Sequence, residues 1–130
     1  MYLNLNNVVH RDLKPANIMV SNTGELKIID FGLSRIFNKE TEDLMTTTLG
    51  TPLYQAPEIM NGLGFDENAD LWSIGVILFQ MVTGTLPFPA RTREELIQKL
   101  KRAKVEFPLG LKLSDHCFDM IKWLIRTDPK

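Results

Sequence analysis

The chain has 130 residues, 44% of them hydrophobic and 24% charged, with a formal net charge of −1. That length suits one domain with a buried core, and the near-zero charge gives no electrostatic reason to expect nucleic acid or an anionic membrane as a partner. Cys117 is the single cysteine, which rules out an intramolecular disulfide and fits a reducing compartment. The N-terminal segment MYLNLNN lacks the basic and apolar regions of a signal peptide, so the cytoplasm is the expected location.

Residues 1–9 are too short for an independent element. The stretch that follows, His10 to Gly32, reads HRDLKPANIMVSNTGELKIIDFG. Ile18-Met19-Val20 and Leu26-Lys27-Ile28-Ile29 are β-rich runs, and Ser21 to Glu25 between them has turn chemistry, so a hairpin is predicted. Antiparallel pairing brings the residue before the first strand beside the residue after the second, placing Asn17 near Asp30. An amide oxygen and a carboxylate at one hairpin mouth suit a hard divalent cation such as Mg²⁺, which usually shares phosphate ligands. Asp12 and Lys14, on the loop entering the hairpin, supply a proton acceptor and a positive charge.

Leu33 to Gln55 is polar, with Thr41, Thr46, Thr47, Thr48 and Thr51 and little periodicity, as in a functional or mobile loop. Gly62-Leu63-Gly64 begins like a nucleotide loop, but Glu67 stands where a third glycine is needed, so it reads as a turn. Ala69 to Thr83 is apolar on nearly every face, the pattern of a fully buried helix. It is too short to span a bilayer, with Asn68 as a candidate cap and Gly84 as its stop. Within it Asp70 is a carboxylate that must find donors if buried. Leu86-Pro87-Phe88-Pro89 is a rigid connector, and Thr92 and Glu95 form a capping box for a helix over 93–104. Glu95 and Lys99 make an i,i+4 pair. Lys99, Lys101, Arg102 and Lys104 form a basic patch, readable as a solvated face or a docking surface. A last helix over about 114–126 places Cys117, Met120, Ile121 and Leu124 on one inward face, which makes Cys117 a small core residue. His116 lies off that face with no clustered metal-binding partners.

HRDLKPAN followed by Asp30-Phe31-Gly32 and Ala56-Pro57-Glu58, in that order, resembles the catalytic loop, metal-binding loop and Ala-Pro-Glu signature of eukaryotic protein kinases. The resemblance covers essentially the whole chain but only the second half of a kinase domain. It implies a mostly α fold with a small β-hairpin, a C-terminal lobe starting and ending inside the fold. MYLNLNNVV would be the last turn of the helix leading into the catalytic loop. No glycine-rich phosphate loop, phosphate-pairing strand lysine or partner helix glutamate precedes it.

The resemblance further implies ATP and Mg²⁺ as cofactors, and a protein substrate with a Ser or Thr acceptor. Asp12 would orient the substrate hydroxyl and take its proton, and Lys14 would stabilise the transferring phosphoryl charge. Asn17 and Asp30 would hold Mg²⁺, and Met19 would lie under the adenine. Lys14 and Thr51 match positions that mark Ser/Thr specificity. Residues 33–55 would be the activation segment. Thr47 matches the position commonly phosphorylated there (Thr46 and Thr48 being alternatives), with Arg11 and Arg35 matching its phosphate contacts. The plainer reading of that segment is a solvated Thr-rich loop. His10 would pack on Phe31, and Asp70 would tie the catalytic loop to the core through backbone N–H groups. Ile77 and Met81 match positions beneath the adenine-contacting residues, or are plain core. Glu58 would pair with an arginine usually found shortly after the Asp128-Pro129 match. NADLWSIG, LFQMVTG and the LSxxC and LIR segments are similar to the autophagy-initiating kinases, with the calcium/calmodulin-type branch as the alternative. The competing function is a non-catalytic lobe that binds a kinase's partners through the 93–104 helix.

Overall fold

The computed structural model describes residues 6, 8–36, 52–61, 68–102 and 104–126, with Arg35 and Ile36 described in backbone alone. Within these residues the chain is mostly α, with two small antiparallel strand pairs. β1 (Val8–Val9) pairs with β4 (Arg35–Ile36), and β2 (Ile18–Val20) pairs with β3 (Leu26–Ile28). The helices are α1 (Pro57–Met60), α2 (Asn68–Thr83), α3 (Arg93–Arg102) and α4 (Asp115–Leu124). Residues 8–9 are thus extended and not the end of a helix, because their partner strand comes from across the site.

The predicted hairpin forms with Ile18 opposite Ile28, Met19 opposite Lys27 and Val20 opposite Leu26. Its turn is closed by Ser21, whose carbonyl accepts from Gly24 N at 2.9 Å and whose hydroxyl accepts from Glu25 N at 3.0 Å. Gly24 has φ 83°, a left-handed conformation that a side chain disfavours. The second strand ends at Ile28, one residue earlier than its apolar run suggests. Ile29 N then donates to Asn17 O at 2.9 Å, so Asn17 faces Ile29 and Asp30 is the next residue along.

α2 is the axis of the core. Ala69, Trp72, Val76 and Phe79 are buried on it. They pack with Ile59 and Met60 of α1, Leu96 and Leu100 of α3, and Ile121 and Ile125 at the end of α4. Trp72 stacks on Phe88 from the proline-flanked connector, with centroids 6.0 Å apart. Asn68 is the first residue of α2, and Gly84 (φ 74°) closes the helix with its N–H on Gln80 O at 2.8 Å. The helix is not buried throughout: Met81 is 74% exposed, so it is not core filling as its apolar surroundings suggest.

α3 starts with half of the expected capping box. Glu95 N donates to Thr92 Oγ1 at 3.2 Å, but the Glu95 carboxylate accepts from Arg91 N at 2.9 Å, one residue further out. That bond first, and Lys99 second, hold the Glu95 carboxyl below its ordinary range. Lys99 pairs with Glu95 at 2.9 Å and Lys104 with Glu106 at 3.0 Å, so Lys101 and Arg102 carry the net charge of the basic patch.

α4 is capped by Ser114, whose Oγ accepts from Cys117 N at 3.3 Å. Its inward stripe runs through Cys117, Ile121 and Ile125, with Leu124 half-buried, while Met120 turns outward. A 100° rotation per residue places Met120 at the edge of that stripe, while Leu124 and Ile125 lie at a short distance from α2. Gly75 sets this distance: a Cβ on it would lie 2.7 Å from Leu124 Cβ and 2.8 Å from Ile125 Cγ1. Among the described residues no helix is long and apolar enough to cross a membrane. Gly75→Ala is expected to lower stability by about 1–3 kcal/mol through overpacking. In urea unfolding this appears as a lower midpoint at unchanged slope, whereas Met81→Ala is expected to stay within about 0.5 kcal/mol of the parent chain.

Candidate active site

The site begins at Asp70, in the first turn of α2 and 6% exposed. Its Oδ2 accepts from His10 N at 2.7 Å and its Oδ1 from Arg11 N at 3.0 Å. Both carboxylate oxygens are therefore answered by consecutive amides of one loop, 60 residues away in sequence. Burial pushes the Asp70 carboxyl above its ordinary value near 3.8, and the two backbone N–H bonds pull the other way without cancelling it.

Arg11 has φ 70°. A left-handed backbone at a non-glycine residue costs roughly 1–3 kcal/mol, and here the bonds of Asp70 on one side and Leu33 on the other oppose it. Arg11 Nε donates to Leu33 O at 2.5 Å. The reversal at Arg11 turns the chain so that Asp12 N meets His10 Nδ1 at 3.3 Å. Pro15 then starts a 3₁₀ turn over Pro15–Asn17, a position where its missing N–H and fixed φ are harmless. That turn folds Asn17 back onto Asp12, with Asn17 Nδ2 donating to Asp12 O at 2.8 Å and to Asp12 Oδ2 at 3.2 Å. Lys14 Nζ meets the same Oδ2 at 2.7 Å. The Asp12 carboxylate is nearly buried, held by an amide from one side and an ammonium from the other.

The hairpin delivers the second loop. Asp30 follows Ile29 with φ 61°, a conformation Asp tolerates better than most side chains. Its Oδ1 accepts from Gly32 N at 3.3 Å, and a Cβ on Gly32 would crowd that oxygen at 3.1 Å. His10 joins the two loops. Its Nε2 lies 3.1 Å from Ile29 O and its ring meets Phe31 edge-on, with centroids 4.9 Å apart. Ser34 Oγ donates to His10 O at 3.4 Å.

Asp12, Lys14 and Asn17 are thus brought together, with Asp30 one residue beyond the Asn17–Ile29 contact. Asn17 is buried and its NH₂ faces Asp12, so its amide oxygen is the end suited to a cation. Met19, 52% exposed, lies on the hairpin next to this mouth. Thr47 and Thr51 lie outside the described residues, as do the side chain of Arg35 and the Gly62–Gly64 turn. Glu58 stands in the first turn of α1 and, with Trp72, Trp123 and Arg126, lines a cleft of about 70 Å³ that shares no residue with the two loops. Ile77 is buried in the core. Among the described residues no group of three or more His, Cys, Asp or Glu could by itself cage a metal ion.

A nearly buried carboxylate and a buried amide with a half-buried ammonium thus stand on one loop, beside a second aspartate on a Gly-bearing loop. The protein kinase domain pattern matches residues 1–130. The chain belongs to the protein kinase family. It is 44% identical to serine/threonine-protein kinase ATG1b of Arabidopsis thaliana over 95% of its length, covering 18% of that protein. It is equally identical to ATG1c of the same plant, covering 17% of it. Against serine/threonine-protein kinase 33 of Mus musculus the identity is 38% over 98% of the chain and 28% of the relative. This kinase chain therefore spans under a third of the length of each.

Several contacts that shape the candidate site carry no local sequence signal. Leu33 O and Ile29 O act as acceptors through their backbones, so their side chains announce nothing. Ser34 is one hydroxyl in a polar stretch. Ser73 Oγ, on the buried helix, donates to Tyr54 O at 2.8 Å, and Tyr54 OH donates to Gln80 Oε1 at 2.8 Å. These bonds dock the residues before α1 against α2, and only the pattern of polar atoms in an oily helix hints at them.

Asp70→Asn leaves one oxygen facing two N–H groups and should cost about 1–3 kcal/mol. Because the folded chain holds the Asp70 proton more tightly than the unfolded chain does, the stability Asp70 contributes is full below its ordinary value and is lost as pH rises through the raised one. The stability gap between wild type and Asp70→Asn is thus expected to narrow as pH increases from about 4 toward 7, measured by denaturant unfolding of both proteins at each pH.

Proposed function

We propose that this chain is the catalytic C-terminal-lobe portion of a serine/threonine protein kinase, transferring a phosphoryl group from ATP to a hydroxyl of a protein substrate as part of a longer polypeptide. The observation that carries this reading is the Asp12 carboxylate held by Lys14 at 2.7 Å and Asn17 at 3.2 Å, beside the hairpin that presents Asp30. Asp12 is buried with its orientation fixed by Asn17, as a group must be to receive a proton from a positioned hydroxyl. Lys14 Nζ meets the same carboxylate oxygen, which keeps its positive charge beside Asp12, where it would stabilise negative charge on a phosphoryl group passed to a hydroxyl at Asp12. The Asn17 amide oxygen and the Asp30 carboxylate form a donor set of hard oxygens that fits Mg²⁺, an ion that takes few protein ligands and shares phosphate oxygens. When bound, Mg²⁺ would neutralise charge on the phosphates of ATP. The Lys14 spacing after Asp12, and relatives named as serine/threonine kinases, support a Ser/Thr acceptor.

The autophagy-initiating branch is supported by the 44% identity to ATG1b and ATG1c. Fission-yeast kin1 at 39% shows how much of the pattern is shared more widely. The second reading, a non-catalytic lobe that binds kinase partners, draws on the exposed Lys101 and Arg102 at the end of α3.

The 130 residues contain no glycine-rich phosphate loop. The purified chain is therefore expected to give no ATP-dependent phosphorylation of a protein acceptor; turnover by it would overturn the need for a longer polypeptide. In the native protein, purified at the size an antibody against residues 36–48 detects, Asp12→Asn is expected to lower kcat about 10²–10⁴-fold with phosphate recovered on Ser or Thr. A native protein no larger than 14.9 kDa, with no activity, would leave the binding module as the better reading.

A further inference from the structure

The connector between α3 and α4 holds an extended run whose main chain pairs with no other described segment. From Lys104 to Phe107 the side chains alternate: Lys104 and Glu106 are exposed, whereas Val105 and Phe107 pack against the core. That is the period of a strand. Phe107 anchors the run, its ring centroid lying 5.1 Å from that of Phe79 on α2 and 4.8 Å from that of Phe118 on α4. Among the described residues no backbone N–H or C=O of 104–107 bonds to another part of the protein, whereas β1 to β4 each have a partner strand. An extended run that is packed from behind and open along its main chain can accept a peptide as an added strand.

Two further features define the occupant. The run leads into a tight turn, closed by Leu111 N on Pro108 O at 3.4 Å with Gly110 at φ 78°. Leu109 stands at its tip, 103% exposed, an apolar side chain with no cover in its own chain. The charge on either side is positive. Lys101 and Arg102 end α3 just before the run, Lys112 follows the turn, and all three are exposed, while Glu106 is matched by Lys104 at 3.0 Å. In extended backbone the polar groups of one residue point to one edge and those of the next residue to the other. Pro108 has no N–H to add to the edge of Lys104 and Glu106, so Val105 and Phe107 present the better edge, with a donor and an acceptor each. We propose that residues 104–109 are a docking site for an extended acidic peptide of a partner protein. The peptide adds as a strand along Val105 and Phe107, covers Leu109 with an apolar side chain, and sets its carboxylates against the flanking cations. The site uses no residue of the Asp12 and Asp30 loops and does not depend on the phosphoryl-transfer reading.

The test uses the full 130-residue chain, labelled with ¹⁵N, and a seven-residue probe of alternating glutamate and valine with both termini blocked. At ten times its Kd the probe is expected to slow amide exchange at Val105 and Phe107 about tenfold and to leave Val76 in α2 unchanged. The same peptide N-methylated at every residue keeps its charge and side chains but donates no backbone hydrogen bond, and is expected not to bind. A lysine–valine peptide is expected not to bind either. Leu109→Ser, at a position that touches nothing, should leave the unfolding midpoint in place and weaken the glutamate peptide about tenfold. Equal slowing by the methylated peptide, the lysine peptide or an oligothymidylate would make this a plain charged or apolar surface and overturn the proposal. No slowing by the glutamate peptide, or unchanged binding by Leu109→Ser, would overturn it too.

Discussion

A carboxylate inside an apolar helix must be met by donors, and Asp70 is met by the N–H groups of His10 and Arg11. The rest of the site depends on this contact. It converts the core helix α2 into the support for a loop that would otherwise lie on the surface with two unpaired amides. The cost of burying the charge shows in the raised pKa of Asp70. What is obtained in return is position: the loop is fixed at the point where its backbone reverses.

That reversal is itself unfavourable, and so is the one at Asp30. Both residues have positive φ without being glycine, and each would relax to an ordinary conformation in a free loop. They persist because bonds from several directions leave no alternative: Asp70 and Leu33 around Arg11, and Ile29's pairing with Asn17 and His10 just ahead of Asp30. Strain held in this way aims side chains. Asp12 is turned toward Lys14 and Asn17, and Asp30 is turned over Gly32.

The support is only as firm as α2, and α2 is firm because its other faces are packed. Gly75 lets α4 approach closely enough to seat Ile121 and Ile125, and Ser73 and Tyr54 fasten the segment before α1 to the same helix. Aromatic rings fill the wider gaps, with Trp72 on Phe88 and Phe107 between Phe79 and Phe118. Packing on one side of the helix thus sets the geometry of charged groups on the other.

Much of this was legible in the amino-acid sequence, because the informative features are local. The hairpin follows from β-rich runs around Ser21–Gly24, the helix stop from Gly84, and the α3 start from Thr92 and Glu95. Asp12, Lys14 and Asn17 lie within six residues, so their spacing alone places them together, and Asp70 stands out as a charge in an oily run. What the sequence could not determine are relations between distant segments. The pairing of Val8–Val9 with Arg35–Ile36, the outward turn of Met81 and Met120, and the need for glycine at position 75 each depend on which surface another element covers. The same is true of His10: its ring carries two nitrogens in any sequence, and only the tertiary structure sets an N–H donor against one and a carbonyl against the other.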